Sequence, residues 1–307
     1  MTFINSIKLF CSNWDKVLKL FLYYLFVLCV TALLLLPVFF AFSEIIKTDI
    51  QASTLSANYL TMFHTSFGVY LHDIMSLVLE IVRDAFAANV GLVIYAAIVV
   101  CLFLPFLFNI GKYVVCEMLY GYMANKSKVG FFSALFKTLN RSVLYALFKT
   151  LYDIIFMAII LISVFAVGLV ESVYFQTYFL PLCEFLILVV SLTLSKVTTT
   201  GWAPAIIVFN VSADKGYRRG FKTISRRFFK TLLVNFLSYL AFFLFTYIAG
   251  VYSMVVTIPL VTALLCTFDM ITFFTCQGMR YYINSKTIMT PKKLEEVDSL
   301  KKAKYII

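Results

Sequence analysis

The chain has 307 residues, of which 62% are hydrophobic and only 13% are charged, and its formal net charge is +11. Soluble domains carry about 25% charged residues, so this composition excludes a soluble globular protein. Aromatic residues reach 18%, which is typical of helices that face lipid and its interfaces.

The apolar runs predict an all-α polytopic membrane helix bundle that forms one integral membrane domain over residues 1–307. A helical span needs about 20 apolar residues to cross a hydrocarbon core of about 30 Å. Backbone polar groups in lipid must be satisfied within their own segment, so each span is expected to be helical. Six segments qualify as spans: about 18–42, 90–115, 143–170, 179–208, 231–251 and 255–279.

The segment 55–86 lies between the first two predicted spans and has a different pattern. Its apolar residues recur every three or four positions, which makes one face of a helix apolar and leaves the other polar. A seventh span here would put the basic segments on opposite sides of the membrane. We therefore expect an outer amphipathic helix that lies on the membrane or caps the bundle, with a re-entrant segment as the alternative.

The distribution of Lys and Arg sets the expected orientation. With six spans, all the Lys and Arg residues except Lys47, Arg83 and Lys196 fall on one side of the membrane. The sequence therefore predicts a multi-pass cell-membrane protein with cytoplasmic N- and C-termini and cytoplasmic interfacial helices. Within the cytoplasmic tail 284–307, residues 292–304 are expected to form a short solvated helix. Short loops and the absence of targeting motifs favour a bacterial inner membrane.

The two central basic segments are copies of one another. The residues 136–141 (FKTLNR) recur as 221–226 (FKTISR) at an offset of 85, and Asn125 matches Asn210 at the same offset. Each copy sits between an inward-running and an outward-running span. The pattern predicts a unit of span, basic loop and span that is repeated about an axis along the membrane normal.

Both copies carry cations that are candidates to face lipid headgroups or phosphate. In the second copy the spacing predicts a basic helical stripe, and such a helix lies at the inner headgroup layer. The apolar stripe predicted beside it consists of Phe221, Ile224, Phe228 and Leu232. Ordinary positive-inside anchoring is the simpler interpretation; specific binding of anionic lipid, a phosphate ligand or an acidic partner is the other. The lipid- or phosphate-facing candidates are Arg219, Lys222, Arg226, Lys230, Lys137 and Arg141.

The Leu-rich first span that ends in Pro37, followed later by Phe-Phe-Ser-Ala-Leu-Phe-Lys-Thr-Leu-Asn-Arg, resembles bacterial YesL-like membrane proteins. These are small multi-span proteins of poorly defined role, some of them found beside sugar-uptake systems. The resemblance covers about 60 residues and has no diagnostic motif. The long outer loop departs from that pattern.

Ionisable residues inside spans are costly and are functional candidates for that reason. Lys196 and Asp269 are expected near the midplane, and Asp153 nearer the cytoplasmic end of its span. The pair Lys196–Asp269 is either a solute or proton site or a structural ion pair. A further alternative is that Lys196 snorkels towards the membrane surface because the fourth span breaks early. An interruption of the fourth span is predicted beside Lys196, since Gly and Pro break helices and Thr hydroxyls can bond the freed carbonyls. The residues of this break are Thr198, Thr199, Thr200, Gly201 and Pro204.

No enzyme motif, cofactor site or metal site is predicted. The two histidines, His64 and His72, are about 12 Å apart along a helix, too far for one metal ion. The sequence favours a non-catalytic accessory or scaffold protein that engages anionic inner-leaflet lipid, a protein partner or a second copy of itself through its basic loops, with no nucleic acid. The alternative is a small-solute transporter or channel subunit that uses Lys196 and Asp269.

Overall fold

The computed structural model describes residue 7 and residues 10–52, 80–125, 129–168, 180–225, 228–250 and 254–273. In this part of the chain every regular element is a helix, which confirms the predicted all-α class. Residues 80–88 are helical as well. The remaining elements are α1 (Trp14–Ala52), α2 (Val90–Ala97), a π-helical segment (Ile98–Phe103), α3 (Leu104–Asn125), α4 (Phe131–Gly168), α5 (Leu180–Thr199), α6 (Trp202–Phe209), α7 (Ala213–Ser225), α8 (Phe228–Gly250) and α9 (Met254–Phe273).

Four helical stretches are long and apolar enough to cross a membrane. They coincide with the first four predicted spans and run over Trp14–Ser43, Val90–Tyr122, Phe131–Ser163 and Leu186–Val208. The membrane class predicted from composition is therefore supported by helix length and hydropathy. Shorter apolar stretches lie within the fifth and sixth predicted spans, at Thr231–Ala241 and Val256–Ile271.

The helix of the third predicted span begins earlier in the structure than the sequence indicates. α4 starts at Phe131, so the basic residues 136–141 belong to the same continuous helix as the apolar run. Nothing between Phe131 and Gly168 breaks a helix, because the segment has no proline and no internal glycine. The first basic copy is thus the start of a long helix and not a loop. Most of the predicted outer helix 55–86 lies outside the described residues.

The chain folds into two compact units. The first comprises Met1–Val27, Phe106–Leu151 and Leu192–Ile307, and the second comprises Leu28–Pro105 and Tyr152–Ser191.

The first unit holds a well-packed core. Tyr23 and Tyr24 of α1 donate hydrogen bonds to the carbonyl oxygens of Leu107 (3.0 Å) and Phe108 (3.3 Å), and so tie α1 to α3. These bonds satisfy the phenolic hydroxyls and two backbone carbonyls. The core around them is made of apolar residues from α1, α3, α4, α5, α6 and α9: Leu20, Val114, Leu119, Ala146, Val197, Ile206, Met270 and Ile271.

α6 and α7 form a tightly packed hairpin in the first unit. The turn begins at Asn210, whose left-handed backbone (φ 50°, ψ 40°) ends α6. A Cβ at Gly216 would lie 2.2 Å from Ile206 Cγ1, and one at Gly220 would lie 2.7 Å from the carbonyl oxygen of Gly201. Two glycines four residues apart therefore let the α7 backbone approach α6 closely, as in small-xxx-small helix contacts.

The second unit exposes large apolar side chains, including Leu33, Phe40 and Ile162. Such exposure is expected where lipid is the solvent. The π-helical segment of this unit precedes Pro105, which has no N–H to donate to the helix ladder, and the N–H of Leu104 bonds the carbonyl of Val99.

Candidate functional site

The predicted interruption of the fourth span lies where α5 meets α6. α5 ends at Thr199, Thr200 and Gly201 form a turn, and Pro204 occupies the first turn of α6. Proline is compatible with that position because the N–H it lacks would have no partner within the helix.

The threonines at this turn bond the carbonyls of the preceding helical turn. Thr198 donates to Leu194 (2.9 Å) and Ser195 (2.9 Å), while Thr199 donates to Ser195 (2.8 Å). Thr200 donates to the carbonyl of Lys196 at 2.7 Å. The break is thus stabilised by hydroxyl-to-carbonyl bonds that need no water, as a break at membrane depth requires.

Asp269 of α9 is the most deeply buried acidic residue that the structure describes. Its exposed fraction is 0%, and neither carboxylate oxygen accepts a hydrogen bond from a described residue. Burying a carboxylate without donors is costly, so the charges around it decide what this position can do.

Three lysines from three different helices interact electrostatically with Asp269. Lys196 of α5 has the largest electrostatic effect on the carboxylate, followed by Lys112 of α3 and Lys149 of α4. Lys196 is half-buried, whereas the exposed fractions of Lys112 and Lys149 are 3% and 1%. The predicted Lys196–Asp269 pair therefore interacts electrostatically as part of a larger group with Lys112 and Lys149, without a hydrogen bond to the carboxylate; we call these four residues the lysine–aspartate cluster.

Lys112 and Lys149 are members of the cluster that the sequence interpretation does not assign to the site. It places them among the cytoplasmic cations, although both fall inside the limits of predicted spans, 90–115 and 143–170. That position is a usable signal, because a cation inside a span is itself a functional candidate.

Other buried polar groups accompany the cluster in the first unit. Cys266, one turn before Asp269 on α9, interacts electrostatically with Lys112 and Lys196. Asn109 donates a hydrogen bond to the hydroxyl of Thr150 at 3.2 Å, which links α3 to α4. The predicted third ionisable residue, Asp153, is half-buried on α4 and belongs to the second unit.

The basic segments present exposed aromatic residues next to their cations. Phe136 and Phe221, which are equivalent in the two copies, have exposed fractions of 73% and 58%. Lys137 and Arg219 are also exposed. The exposure of Phe221 agrees with its predicted place on the apolar stripe of an interfacial helix.

The remaining predicted headgroup-facing residues are Lys222, Lys230, Arg226 and Arg141. Lys222 is in α7 and Lys230 is in α8, while Arg226 lies outside the described residues. Arg141 is exposed and donates from Nη1 to the side-chain oxygen of Asn210 at 2.5 Å. Glu117 of α3 interacts electrostatically with Lys137 and Arg141, so the first copy is partly neutralised from within the fold.

Tyr217 fixes α7 to its neighbours through its ring and its hydroxyl. The ring packs against Trp202 and Phe148, with centroids 4.7 and 5.4 Å away, and the hydroxyl donates to the carbonyl of Tyr145 at 3.4 Å. Burial raises the pKa of the Tyr217 phenol. α7 is therefore held in place on the first unit while Arg219 stays exposed.

Lys16 of α1 is buried apart from the lysine–aspartate cluster. Its ammonium group donates to the side chain of Asn13 and lies 4.2 Å from the ring centroid of Tyr122. Asp15 is 3.7 Å away. A cation so enclosed by an amide, a ring and a carboxylate has a structural role at the start of α1.

Among the described residues, no group of three or more His, Cys, Asp or Glu side chains is placed to hold a metal ion. His64 and His72 lie outside the described residues. Comparison of the chain with protein-family models, with curated proteins and with solved structures finds no match.

Proposed function

We propose that this protein is a non-catalytic integral membrane accessory or scaffold protein that engages anionic lipid, or an acidic partner, through its two basic copies. The observation that carries the proposal is the equivalence of Phe136–Lys137 and Phe221–Lys222, where an aromatic side chain exposed in both copies directly precedes a lysine. Aromatic rings and cations on one surface are what the headgroup layer of a membrane attracts.

Electrostatics supports an anionic surface as the ligand. Each Lys or Arg near a negatively charged leaflet contributes about 1 kcal/mol, and an exposed aromatic ring adds apolar burial at the interface. Glu117 offsets part of the charge of the first copy, and Asp214 lies 3.8 Å from Arg218 in the second copy.

The proposed topology has six spans, with both termini and both basic copies in the cytoplasm. In that arrangement α8 and α9 supply the fifth and sixth spans, and the membrane is the cell membrane of a bacterium. The resemblance to YesL-like proteins agrees with this class and stays a hypothesis.

Lipid selectivity in nanodiscs tests the proposal. The purified protein is offered mixtures of phosphatidylglycerol and phosphatidylcholine, and the lipids that remain bound after gentle delipidation are measured by mass spectrometry. We expect enrichment of phosphatidylglycerol that falls in the double variant Lys137→Gln, Arg219→Gln. Arg83→Gln is the matched control, because Arg83 is exposed and lies in the predicted outer loop. Equal retention of the two lipids by the unmodified protein would reject the lipid-binding function.

A second candidate function is a small-solute transporter or channel subunit. The lysine–aspartate cluster favours it, because buried ionisable groups beside an interrupted helix are typical of solute sites in transporters. Uptake of radiolabelled solutes into proteoliposomes, with Lys196→Gln as the inactive variant, tests that function.

A further inference from the structure

The carboxylate of Asp269 has unmet hydrogen-bonding capacity among the described residues. An ionised carboxylate offers about four acceptor positions, and none of them is used by a described residue. Lys196, Lys112 and Lys149 influence the carboxylate electrostatically without any hydrogen bond to it. The Asp269 carboxylate and the three ammonium groups therefore interact electrostatically, but no hydrogen bond links them.

The charges select among ligand classes. A cation with N–H groups, such as methylammonium, could donate a hydrogen bond to Asp269, but three neighbouring ammonium groups would repel it. A simple anion would be attracted by the lysines, but it would leave the carboxylate without donors and be repelled by it. A molecule that carries both an ammonium group and a carboxylate group satisfies both requirements, since each of its ends meets the opposite charge.

We propose that the lysine–aspartate cluster binds a small zwitterionic solute of the amino-acid class. Its amino group donates to the Asp269 carboxylate, and its carboxylate accepts from Lys196, with Lys112 and Lys149 adding positive potential. Cys266 is the other titratable group that interacts with this cluster from α9, and it contributes no fixed charge as a thiol.

The cluster lies beside an interrupted helix. Lys196 is in the last turn of α5, immediately before the turn at Thr200 and Gly201. The carboxyl end of a helix carries partial negative charge, which stabilises the Lys196 ammonium group. Interrupted helices form the solute sites of many transporters. The inference goes beyond lipid engagement, and it gives the solute class for the second candidate function.

Ligand binding to the full-length protein in detergent tests the inference. Thermal unfolding and isothermal titration calorimetry are measured with each of the twenty common amino acids, and with acetate and methylamine as probes that carry a single charge. We expect at least one amino acid to raise the unfolding temperature, while acetate and methylamine at the same concentration do not. Asp269→Asn should weaken binding about tenfold or more, because a charge-assisted hydrogen bond is lost.

Two further variants keep the test decisive. Lys16→Gln removes a buried lysine outside the cluster and should retain full affinity. If Asp269→Asn does not fold, Lys196→Arg replaces it, and the changed donor geometry should weaken binding. The inference is overturned if no amino acid stabilises the protein, if acetate alone stabilises it equally, or if the cluster variant that folds binds with unchanged affinity. Lipid selectivity retained by that variant would separate this result from a failure of the lipid-binding function.

Discussion

Arg141 of the first basic copy donates a hydrogen bond at 2.5 Å to Asn210, the residue that begins the second copy. Asn210 is also the one described non-glycine residue with a left-handed backbone. The backbone of Asn210 thus ends α6 and opens the turn into α7, while its side chain accepts a hydrogen bond from a cation of α4. This contact joins the repeated segments to each other and positions the exposed basic surface of α7.

Replacing Asn210 separates the backbone role from the hydrogen bond. Asn210→Gly keeps the left-handed turn but loses the contact with Arg141, while Asn210→Ala loses both. We expect Asn210→Ala to lower the free energy of unfolding by about 1–3 kcal/mol and Asn210→Gly to lower it by about 1 kcal/mol or less. Chemical unfolding in detergent measures both values. Equal losses in the two variants would show that the turn geometry contributes nothing.

The close approach of α6 and α7 gives a second prediction. Gly220→Ala places a Cβ 2.7 Å from the carbonyl oxygen of Gly201, and backbone cannot move aside as a side chain can. We expect a net loss of about 1–3 kcal/mol in unfolding free energy, despite the higher helix propensity of alanine. Gly130→Ala is the matched control, since nothing lies within 4 Å of its Cβ position. A Gly220→Ala protein as stable as the control would contradict the packing described here.

Charge exchange at the lysine–aspartate cluster distinguishes a structural pair from a functional site. Lys196→Asp and Asp269→Lys should each lower the unfolding free energy by about 3–5 kcal/mol, because each leaves like charges buried together. If the pair is structural, the double exchange should restore both the free energy of unfolding and amino-acid binding. A binding site predicts partial recovery of stability without recovery of amino-acid binding. Expression level and calorimetry on the three variants measure the two outcomes separately.

The exposed aromatic residues of the two copies should act in lipid binding and not in folding. Phe136→Ser and Phe221→Ser remove rings whose exposed fractions are 73% and 58%, so the unfolding free energy in detergent should change by no more than about 0.5 kcal/mol. Retention of phosphatidylglycerol should fall in both. Phe131, which begins the same helix as Phe136 but is buried, gives the contrasting control: Phe131→Ser should destabilise the fold itself.

Hydropathy predicts the helical class and the first four spans, because the length of an apolar run is read directly from the sequence. The break at Thr200 and Gly201 is also predictable from residue type. Lys112 and Lys149 are missed because counting cations by segment treats each lysine as a loop charge, although both lie inside the limits of predicted spans. Their grouping with Asp269 depends on which helix faces which, and no local pattern in the sequence records that.

The packing face of α7 is a second feature that hydropathy does not predict. Its periodicity predicts an apolar stripe that includes Phe221, yet its contact with α6 is made by Gly216 and Gly220. Hydropathy patterns register large apolar side chains and give no weight to glycines that allow backbones to approach. The second basic copy is therefore recognisable from its charges, while its packing face is not.

The central claim is that the two basic copies engage anionic lipid or a partner on one side of a membrane. Native mass spectrometry of the tagged protein, gently extracted from its own membrane, tests it most directly. We predict bound anionic lipid or a stoichiometric protein companion, which is lost in the Lys137→Gln, Arg219→Gln variant and kept in Arg83→Gln. A protein that carries neither, or whose bound species are the same in both variants, would contradict the account.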